Sequence, residues 1–367
     1  MHKANKLFIF TDMQEHNLYM QRCLTLAMKG LGSVAPNPMV GCVIVHNDEI
    51  IGEGYHEFYG GPHAEVNAIN SVKNKDLLKE STVYVNLEPC NHQGKTPPCS
   101  DLLVHHQVKR VVIGCVDSFE KVAGKGIEKL RSAGIDVITN VLEKECREIN
   151  KRFFTFHEKK RPYIFLKWAQ TKDGFISRNK EDIKGNNNWI TCEESKTLVH
   201  QWRSEEGAIL IGYNTALIDN PQLNTRLASG KNPLRIVIDN QLTLAQSLHI
   251  FDNTSNTIIF NSIENKKVEK TEWVKVTSLQ EILDFLYQRN ISSLIIEGGA
   301  KTLQKFINAN LWDEALVFVS DKIFMNGVKA PVVERKISTE LRVGPDKLLI
   351  LISYFLICVN TIFTLLM

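Results

Sequence analysis

Cysteine is scarce in this chain, with eight residues in 367 and no regular spacing, which excludes the disulfide framework of a small secreted domain. An excess of one charge is missing as well. The 44 Lys and Arg stand against 41 Asp and Glu for a net +3, which argues against a nucleic-acid or polybasic membrane binder. Internal repeats and low-complexity tracts are absent, and 43% hydrophobic with 23% charged residues excludes disordered and collagen-like classes. The first residues, MHKANKLFIFTD, hold four apolar residues in a row before an acid, too few for a signal peptide, so a reducing cytoplasm is expected. Long apolar runs are lacking except at the end. Leu348 to Met367 reads LLILISYFLICVNTIFTLLM, uncharged and just long enough to span a bilayer as a helix.

What is present reads as about two domains, from length alone. Apolar residues at Leu18, Met20, Cys23, Leu24, Ala27 and Met28 suggest a helix over 13–30, with Asp12 as its N-cap. After the turn VAPNP come a strand at Val40–Val45, a helix beginning near His63, a strand at Ser81–Leu87 and a loop from Glu88 to Ser100. A short helix, the strand Arg110–Val116, a helix over Gly126–Ala133 and the strand IDVIT complete a first α/β set, for which parallel strands are expected. The basic stretch FHEKKRPY reads as a boundary. A second set follows, with strands YIFLKWA, AILIG, LRIVID, NTIIF, SSLIIEGG and EALVFVS.

The first chemical constellation is His63-Ala64-Glu65 at a helix start and Cys90 with Cys99 in the loop after the next strand. Three N/S ligands with an open fourth position suit a catalytic zinc, whereas a structural zinc is closed by four protein ligands. Zinc in such a site activates water at neutral pH. Glu65 is placed beside the ligands and not among them, where it would shuttle a proton from water to a leaving amine. An isolated H-x-E is common and says nothing; the joint pattern says much. The zinc-deaminase signature pairs H-x-E with P-C-x-x-C, and the eight residues between Cys90 and Cys99 depart from it.

That departure is specific. VAPNPMVGCVIV, GYHEFYGGPHAE, EPCNHQGKTPPC and DSFEKVAGKGIEKLRSAGIDV closely resemble the deaminase half of the bifunctional riboflavin-biosynthesis deaminase/reductase family, and the resemblance runs over about residues 13–345. It implies an α/β chain with a cytidine-deaminase-like three-layer domain at 13–157 and a dihydrofolate-reductase-like domain at 158–352. It implies His63, Cys90 and Cys99 as zinc ligands and Glu65 as proton shuttle, with Asn37, His56, His92 and Lys95 lining the pyrimidine or ribose-phosphate pocket. The amide-rich AGKG turn (residues 123–126) and Lys95 suit a phosphate monoester. The remaining cysteines read as buried hydrophobes (Cys23, Cys42, Cys115, Cys146) or as inert (Cys192).

No G-x-G-x-x-G lies between a strand and a helix in the second half, so a dinucleotide fingerprint is lacking. Instead SSLIIEGGAKTLQKF places two glycines at a helix entry, where backbone N–H groups could approach a phosphate. LKWAQTKDGFIS, NNNWIT, ALIDNPQLNTR and IIEGGAKTL resemble the reductase half of the same family. The resemblance implies NADPH contacts from Gln170, Trp189, Thr215, Asp219, Gly299, Ala300, Lys301, Thr302, Leu303, Gln304 and Lys305. It implies substrate contacts from Asn187, Arg203, Leu223, Arg226 and Glu297; the family often has Ser at the Asn187 position. Lys167 and Asp173 are positioned as proton donors, though a structural ion pair is the commoner use of such residues.

The expectation is therefore a cytoplasmic, homo-oligomeric enzyme acting on a small phosphoribosylaminopyrimidine with Zn2+ and NADPH and no nucleic acid. The alternatives are a zinc deaminase of nucleosides or nucleic-acid bases, and a zinc-stabilised interaction module needing a fourth ligand such as His92 or His105. Leu348–Ile352 is expected to complete the reductase sheet. The tail 353–367 is left as a membrane segment, a buried helix or contact between copies, or an aberrant terminus.

Overall fold

Strands that are apolar on both faces need cover on both sides, and two such sheets organise the chain. A computed structural model describes residues 2–91, 97–119, 123–179 and 189–353, with the backbone alone for residues 2–13. Among these residues one compact unit runs to Lys159 and a second begins at Lys160.

The first unit contains α1 (His2–Met28), β1 (Gly41–His46), β2 (Glu49–Tyr55), α2 (Ala64–Ser71), β3 (Thr82–Leu87), α3 (Cys99–His105), β4 (Arg110–Cys115), α4 (Lys125–Ser132), β5 (Asp136–Ile138), α5 (Glu143–Ile149) and α6 (Lys151–Lys159). Its sheet has the order β2-β1-β3-β4-β5. Successive side chains of a strand point to opposite faces. Val43 and Val45 accordingly join Met20, Cys23 and Phe153 in one core, while Cys42 and Ile44 join Ala64, Ala68, Leu103 and Leu130 in the other. Helices on both faces make three layers. Gly41 is required because a Cβ there would stand 2.1 Å from the Cys23 carbonyl oxygen of α1.

Three expectations are corrected here. Helix α1 begins at His2, so Asp12 lies inside it, and no Pro or Gly interrupts residues 2–28. The strands are not all parallel, since β1 runs antiparallel to both β2 and β3, and only β3, β4 and β5 are parallel. The loop after β3 ends earlier than Ser100, because Cys99 is the first residue of α3 behind Pro98. The basic stretch before Pro162 begins inside helix α6, which buries Phe153, Phe154 and Phe156, and the first unit ends within that stretch, at Lys159.

The second unit contains β6 (Tyr163–Gln170), β7 (Phe175–Ser177), α7 (Glu193–Glu205), β8 (Ala208–Gly212), α8 (Tyr213–Asp219), β9 (Leu234–Ile238), β10 (Thr257–Asn261), β11 (Lys266–Val268), β12 (Thr271–Lys275), α9 (Leu279–Gln288), β13 (Ser293–Ile296), α10 (Ala300–Asn308), β14 (Glu314–Val319), β15 (Val328–Lys329), β16 (Ile337–Val343) and β17 (Asp346–Ile352). Ten of the strands form one sheet, ordered β11-β12-β10-β9-β8-β13-β6-β14-β17-β16. The central pairings from β12 to β14 are parallel. Leu166, Leu210, Ile296 and Phe306 pack on one face, and Ile209, Ile211, Val237 and Ile259 on the other.

Strand β17 decides part of the apolar terminus. It pairs antiparallel with β14, with Leu348 opposite Phe318 and Ile350 opposite Leu316. The run from Leu348 to Met367 is therefore not one spanning helix, because its first five residues belong to a sheet. Among the described residues no helix is long and apolar enough to cross a membrane. Residues 354–367, on which the remaining tail readings fall, lie outside the described residues.

Candidate functional site

His63 occupies the N-cap of α2 with extended backbone, at φ −72° and ψ 162°. Its ring reaches the loop beyond β3, where Nδ1 lies 3.6 Å from the Cys90 Sγ and 3.2 Å from the Cys99 Sγ. All three donor atoms fall within 4.8 Å of one another, and among the described residues no other group of three His, Cys, Asp or Glu does so. Zinc bonds of about 2.0–2.1 Å to nitrogen and 2.3 Å to sulfur, at the tetrahedral angle, separate N and S by about 3.6 Å. The donor set and its spacing fit zinc.

The charges agree with that reading. The hydrogen bond from Cys99, and then that from His63, draws the Cys90 thiol down to about 4 despite its burial. Cys99 moves the other way, raised by its bond to Cys90 and by burial. Glu65, in the first turn of α2, is 3% exposed and is not among the clustered donors. Burial, with the Cys90 charge, raises its carboxyl above the ordinary range. A raised pKa suits a carboxyl that relays a proton between water and a leaving group.

Two further expected residues meet at this place. His56, neutral because burial lowers its pKa, donates from Nδ1 to the Pro62 carbonyl at 2.9 Å, immediately before His63. Its Nε2 then accepts from the Asn37 amide at 3.2 Å. Asn37 is left with its carbonyl and one N–H to offer a ligand. His92 and Lys95 lie outside the described residues. His105, the spare histidine considered for a closed site, stacks edge-on with His106 at 5.2 Å and does not join the cluster.

The AGKG turn requires correction. Its amides do surround an anion, but the anion is the buried Glu88 carboxylate. Glu88 accepts from Gly124 at 2.9 Å, Gly126 at 3.0 Å, Ile127 at 3.3 Å and Asp117 at 3.2 Å. A helix N-terminus cannot serve an external phosphate with N–H groups already committed to a side chain. The AGKG turn is thus an anion cradle, closed by the protein's own carboxylate.

The second unit holds a cavity of about 1600 Å³ at the carboxyl ends of its parallel strands. Ligands bind at that edge in open α/β sheets. Trp189, Thr215, Asp219, Arg203, Leu223, Arg226 and Glu297 all line it, as does Gly299–Lys305 apart from Gln304. Two expected residues are turned elsewhere. Gln304 bonds Asn308 and Val332, and Gln170 accepts from the Trp168 indole at 2.8 Å. Asn187 lies outside the described residues. The two glycines are necessary: a Cβ on Gly298 would approach Ile211 Cα to 2.6 Å, and Gly299 caps α10 with φ +42°.

A charge network forms the floor of this cavity. Arg203 of α7 grips Glu297 with Nε and Nη2, both at 2.8 Å, and Lys167 of β6 approaches the same carboxylate at 3.6 Å. Burial alone would raise the Glu297 carboxyl, yet Arg203 and Lys167 hold it at about 2. Burial also lowers Lys167. The Arg203 fork thus faces a protein carboxylate and not an open phosphate position, while Arg226 is exposed. Asp173 proves structural, accepting from the backbones of Phe324 and Met325 and from the Thr171 hydroxyl. Sequence reading missed His200, 2% exposed and set at about 4 first by burial and then by Arg203 and Arg226. It lies one helical turn before Arg203, a spacing that could have marked it.

Comparison with known proteins agrees with this geometry. Residues 13–115 match the family model for the cytidine and deoxycytidylate deaminase zinc-binding region, and residues 162–342 match that for the RibD C-terminal domain. The riboflavin biosynthesis protein RibD of Aquifex aeolicus is 40% identical over 339 residues, covering 90% of this chain and 94% of that protein. The Escherichia coli K12 protein of the same name is 33% identical, covering 91% and 98%. A crystal structure of a diaminohydroxyphosphoribosylaminopyrimidine deaminase/5-amino-6-(5-phosphoribosylamino)uracil reductase from Thermotoga maritima superposes with a TM-score of 0.85 at 37% identity, covering 93% of this chain and 99% of that one. The two units are thus a cytidine-deaminase-like zinc domain and a reductase domain that calls for a nucleotide cofactor. The chain belongs to the RibD family of bifunctional riboflavin-biosynthesis enzymes, which pair a zinc deaminase with a reductase.

Proposed function

We propose that the first unit removes the 2-amino group of 2,5-diamino-6-(5-phosphoribosylamino)pyrimidin-4(3H)-one as ammonia, and that the second reduces the ribosyl side chain of the product with NADPH. The observation that carries this reading is one cluster of His63, Cys90 and Cys99 with a buried carboxyl, Glu65, beside it and outside the ligand set. When bound, zinc supplies Lewis-acid activation of water. His63, Cys90 and Cys99 hold it. The Glu65 carboxylate takes the proton released by water and returns it to the departing amine, so that ammonia leaves neutral. Asn37, oriented by His56, meets the amide edge of the pyrimidine.

In the second unit NADPH supplies the hydride. The Gly298–Gly299 entry to α10 admits cofactor phosphate to backbone amides, and Trp189, Thr215, Asp219 and the lining residues of 299–305 frame the cofactor. Arg226 offers its exposed guanidinium to the substrate phosphate. Arg203 acts by orienting Glu297, and Leu223 closes the wall. The working domains are taken as 13–157 and 158–352, in a cytoplasmic homo-oligomer; β16 ends the sheet as an edge strand among the described residues, a place where a second copy can add.

The test is to incubate the zinc-loaded chain with the diaminopyrimidine and follow ammonia, then add NADPH and follow its oxidation. Ammonia release that stops with a chelator, followed by NADPH oxidation that needs the deaminated product, is the expected result. Ammonia from free cytidine at a comparable kcat/KM, with none from the phosphoribosyl compound, would replace the substrate assignment.

A further inference from the structure

The ladder between β1 and β3 stops at Cys42 opposite Val85, yet hydrogen bonding to β3 and to the α5–α6 junction continues into the chain before β1, which carries Asn37. Two asparagine side chains take over. Asn86, fully buried at the end of β3, accepts from the Gly41 N–H at 2.7 Å and donates to the Met39 carbonyl at 3.0 Å. Asn150, 2% exposed at the junction of α5 and α6, accepts from the Met39 N–H at 2.8 Å and donates to the same carbonyl at 2.9 Å. Met39 thus has both its backbone groups satisfied by side chains, one of them from a residue 111 positions away. On the near side the turn closes through the Asn37 N–H and the Val34 carbonyl at 2.9 Å.

We infer that Asn150 and Asn86 are positioning residues for deamination, which set Asn37 against the pyrimidine by fixing Met39 two residues away. The inference rests on reading Asn37 as a substrate contact. A side-chain amide suits the task because it donates and accepts at once, matching one peptide unit in a buried place where an unpaired N–H or carbonyl is costly. The side-chain hydrogen bonds of both asparagines go to the backbone of Met39 and Gly41 and not to His63, Cys90 or Cys99. Their effect runs through the ground-state contact at Asn37, so it should appear in KM and leave kcat nearly unchanged.

The experiment is a double-mutant cycle in the full-length zinc-loaded chain, with Asn37→Ala, Asn150→Ala and the pair, reading KM and kcat for ammonia release. Zinc content and NADPH-dependent reduction report integrity. Asn150→Ser, which keeps a hydroxyl in the same space, replaces Asn150→Ala if that variant does not fold. We expect Asn37→Ala to raise KM about 10-fold, as for loss of one or two hydrogen bonds. Asn150→Ala should raise it by a similar factor, with kcat within about 3-fold, full zinc and unchanged reduction, and the pair should be no worse than Asn37→Ala. Additive effects in the pair, or loss of zinc in both Asn150 variants, would make Asn150 a packing residue and overturn the inference. An Asn37→Ala variant with unaltered KM would remove the contact on which the inference stands, while continued ammonia release in that variant would leave the deaminase reading intact. Absence of ammonia release by the unaltered chain would overturn both.

Discussion

The two units solve recognition in opposite ways. In the first, the reacting centre is assembled from short-range pieces: a helix cap, a strand end and a helix start bring three donor atoms within 4.8 Å, and one buried carboxyl stands beside them. In the second, the centre is a cavity of about 1600 Å³ whose walls come from the carboxyl ends of the parallel strands and from nearby helices and loops, and in which Arg203 and Lys167 are already paired with Glu297. A metal site needs few residues held to tenths of an ångström. A dinucleotide and a sugar phosphate need surface, fixed dipoles and room. Loss of a metal donor should therefore be all-or-none in the first unit, and loss of a cavity residue graded in the second.

The largest effect that would test this contrast is loss of a ligand. His63→Ala and Cys90→Ala should each lose zinc and reduce ammonia release to background, while NADPH oxidation with externally supplied deaminated product stays within about 2-fold of the unaltered chain, the units being separate folds. Metal analysis with both assays reads this directly; equal zinc content in the variants would dissolve the ligand assignment.

Next comes the carboxyl beside the metal. Glu65→Gln should retain zinc and lose at least about 10²-fold in kcat for ammonia release, the usual scale for a general acid and base. A variant working near the normal rate would place the proton transfer elsewhere.

The paired charges of the second unit are tested by pH and by removal of the carboxylate. The Glu297 carboxyl lies at about 2 in the folded chain, because Arg203 and Lys167 outweigh the opposing effect of burial. The ordinary value is about 4.3. Since the folded value is the lower one, the associated stability is complete above about pH 4.5 and is lost as pH falls toward 2. Glu297→Gln should abolish that portion of the acid sensitivity. It should also destabilise the unit at neutral pH by about 3–5 kcal/mol, the range for leaving buried cations without their counter-ion. All five tryptophans, Trp168, Trp189, Trp202, Trp273 and Trp312, belong to this unit, so fluorescence during urea unfolding reports it alone.

The smallest effect separates the two arginines of the cavity. Arg226→Ala should raise KM for the deaminated substrate about 10-fold and leave KM for NADPH within about 2-fold, consistent with loss of one charge-assisted contact at an exposed position. Urea stability should hardly change. The opposite order of KM effects would give Arg226 to the cofactor.

Some features were legible in the residues because they are local. H-A-E followed by P-C and a second cysteine is a pattern of types and spacings, and a helix cap or strand end places such side chains without help from distant chain. The strand AILIG and the helix entry at EGG were equally legible, since hydrophobic runs and glycines act over a few residues. Other features were not. FHEKKRPY marks a boundary by its charge, and only the core shows that the chain leading into it is a helix that buries Phe153, Phe154 and Phe156. The AGKG turn reads as a phosphate cradle until Glu88, 36 residues earlier, is seen to fill it.

By itself the sequence singled out the His63, Cys90 and Cys99 group that the fold brings together, the carboxyl of Glu65 near it, the two-part α/β organisation and the family, because each depends on residue identity at short spacing. Tertiary structure alone decided which charges are free. Arg203 and Glu297 are 94 residues apart and cancel one another, Glu88 closes its own anion site, and Asn150 reaches back 111 residues to Met39. Pairing across such distances is set by how sheets and helices pack, and burial then multiplies its energetic weight, so neither partner announces the other in the chain.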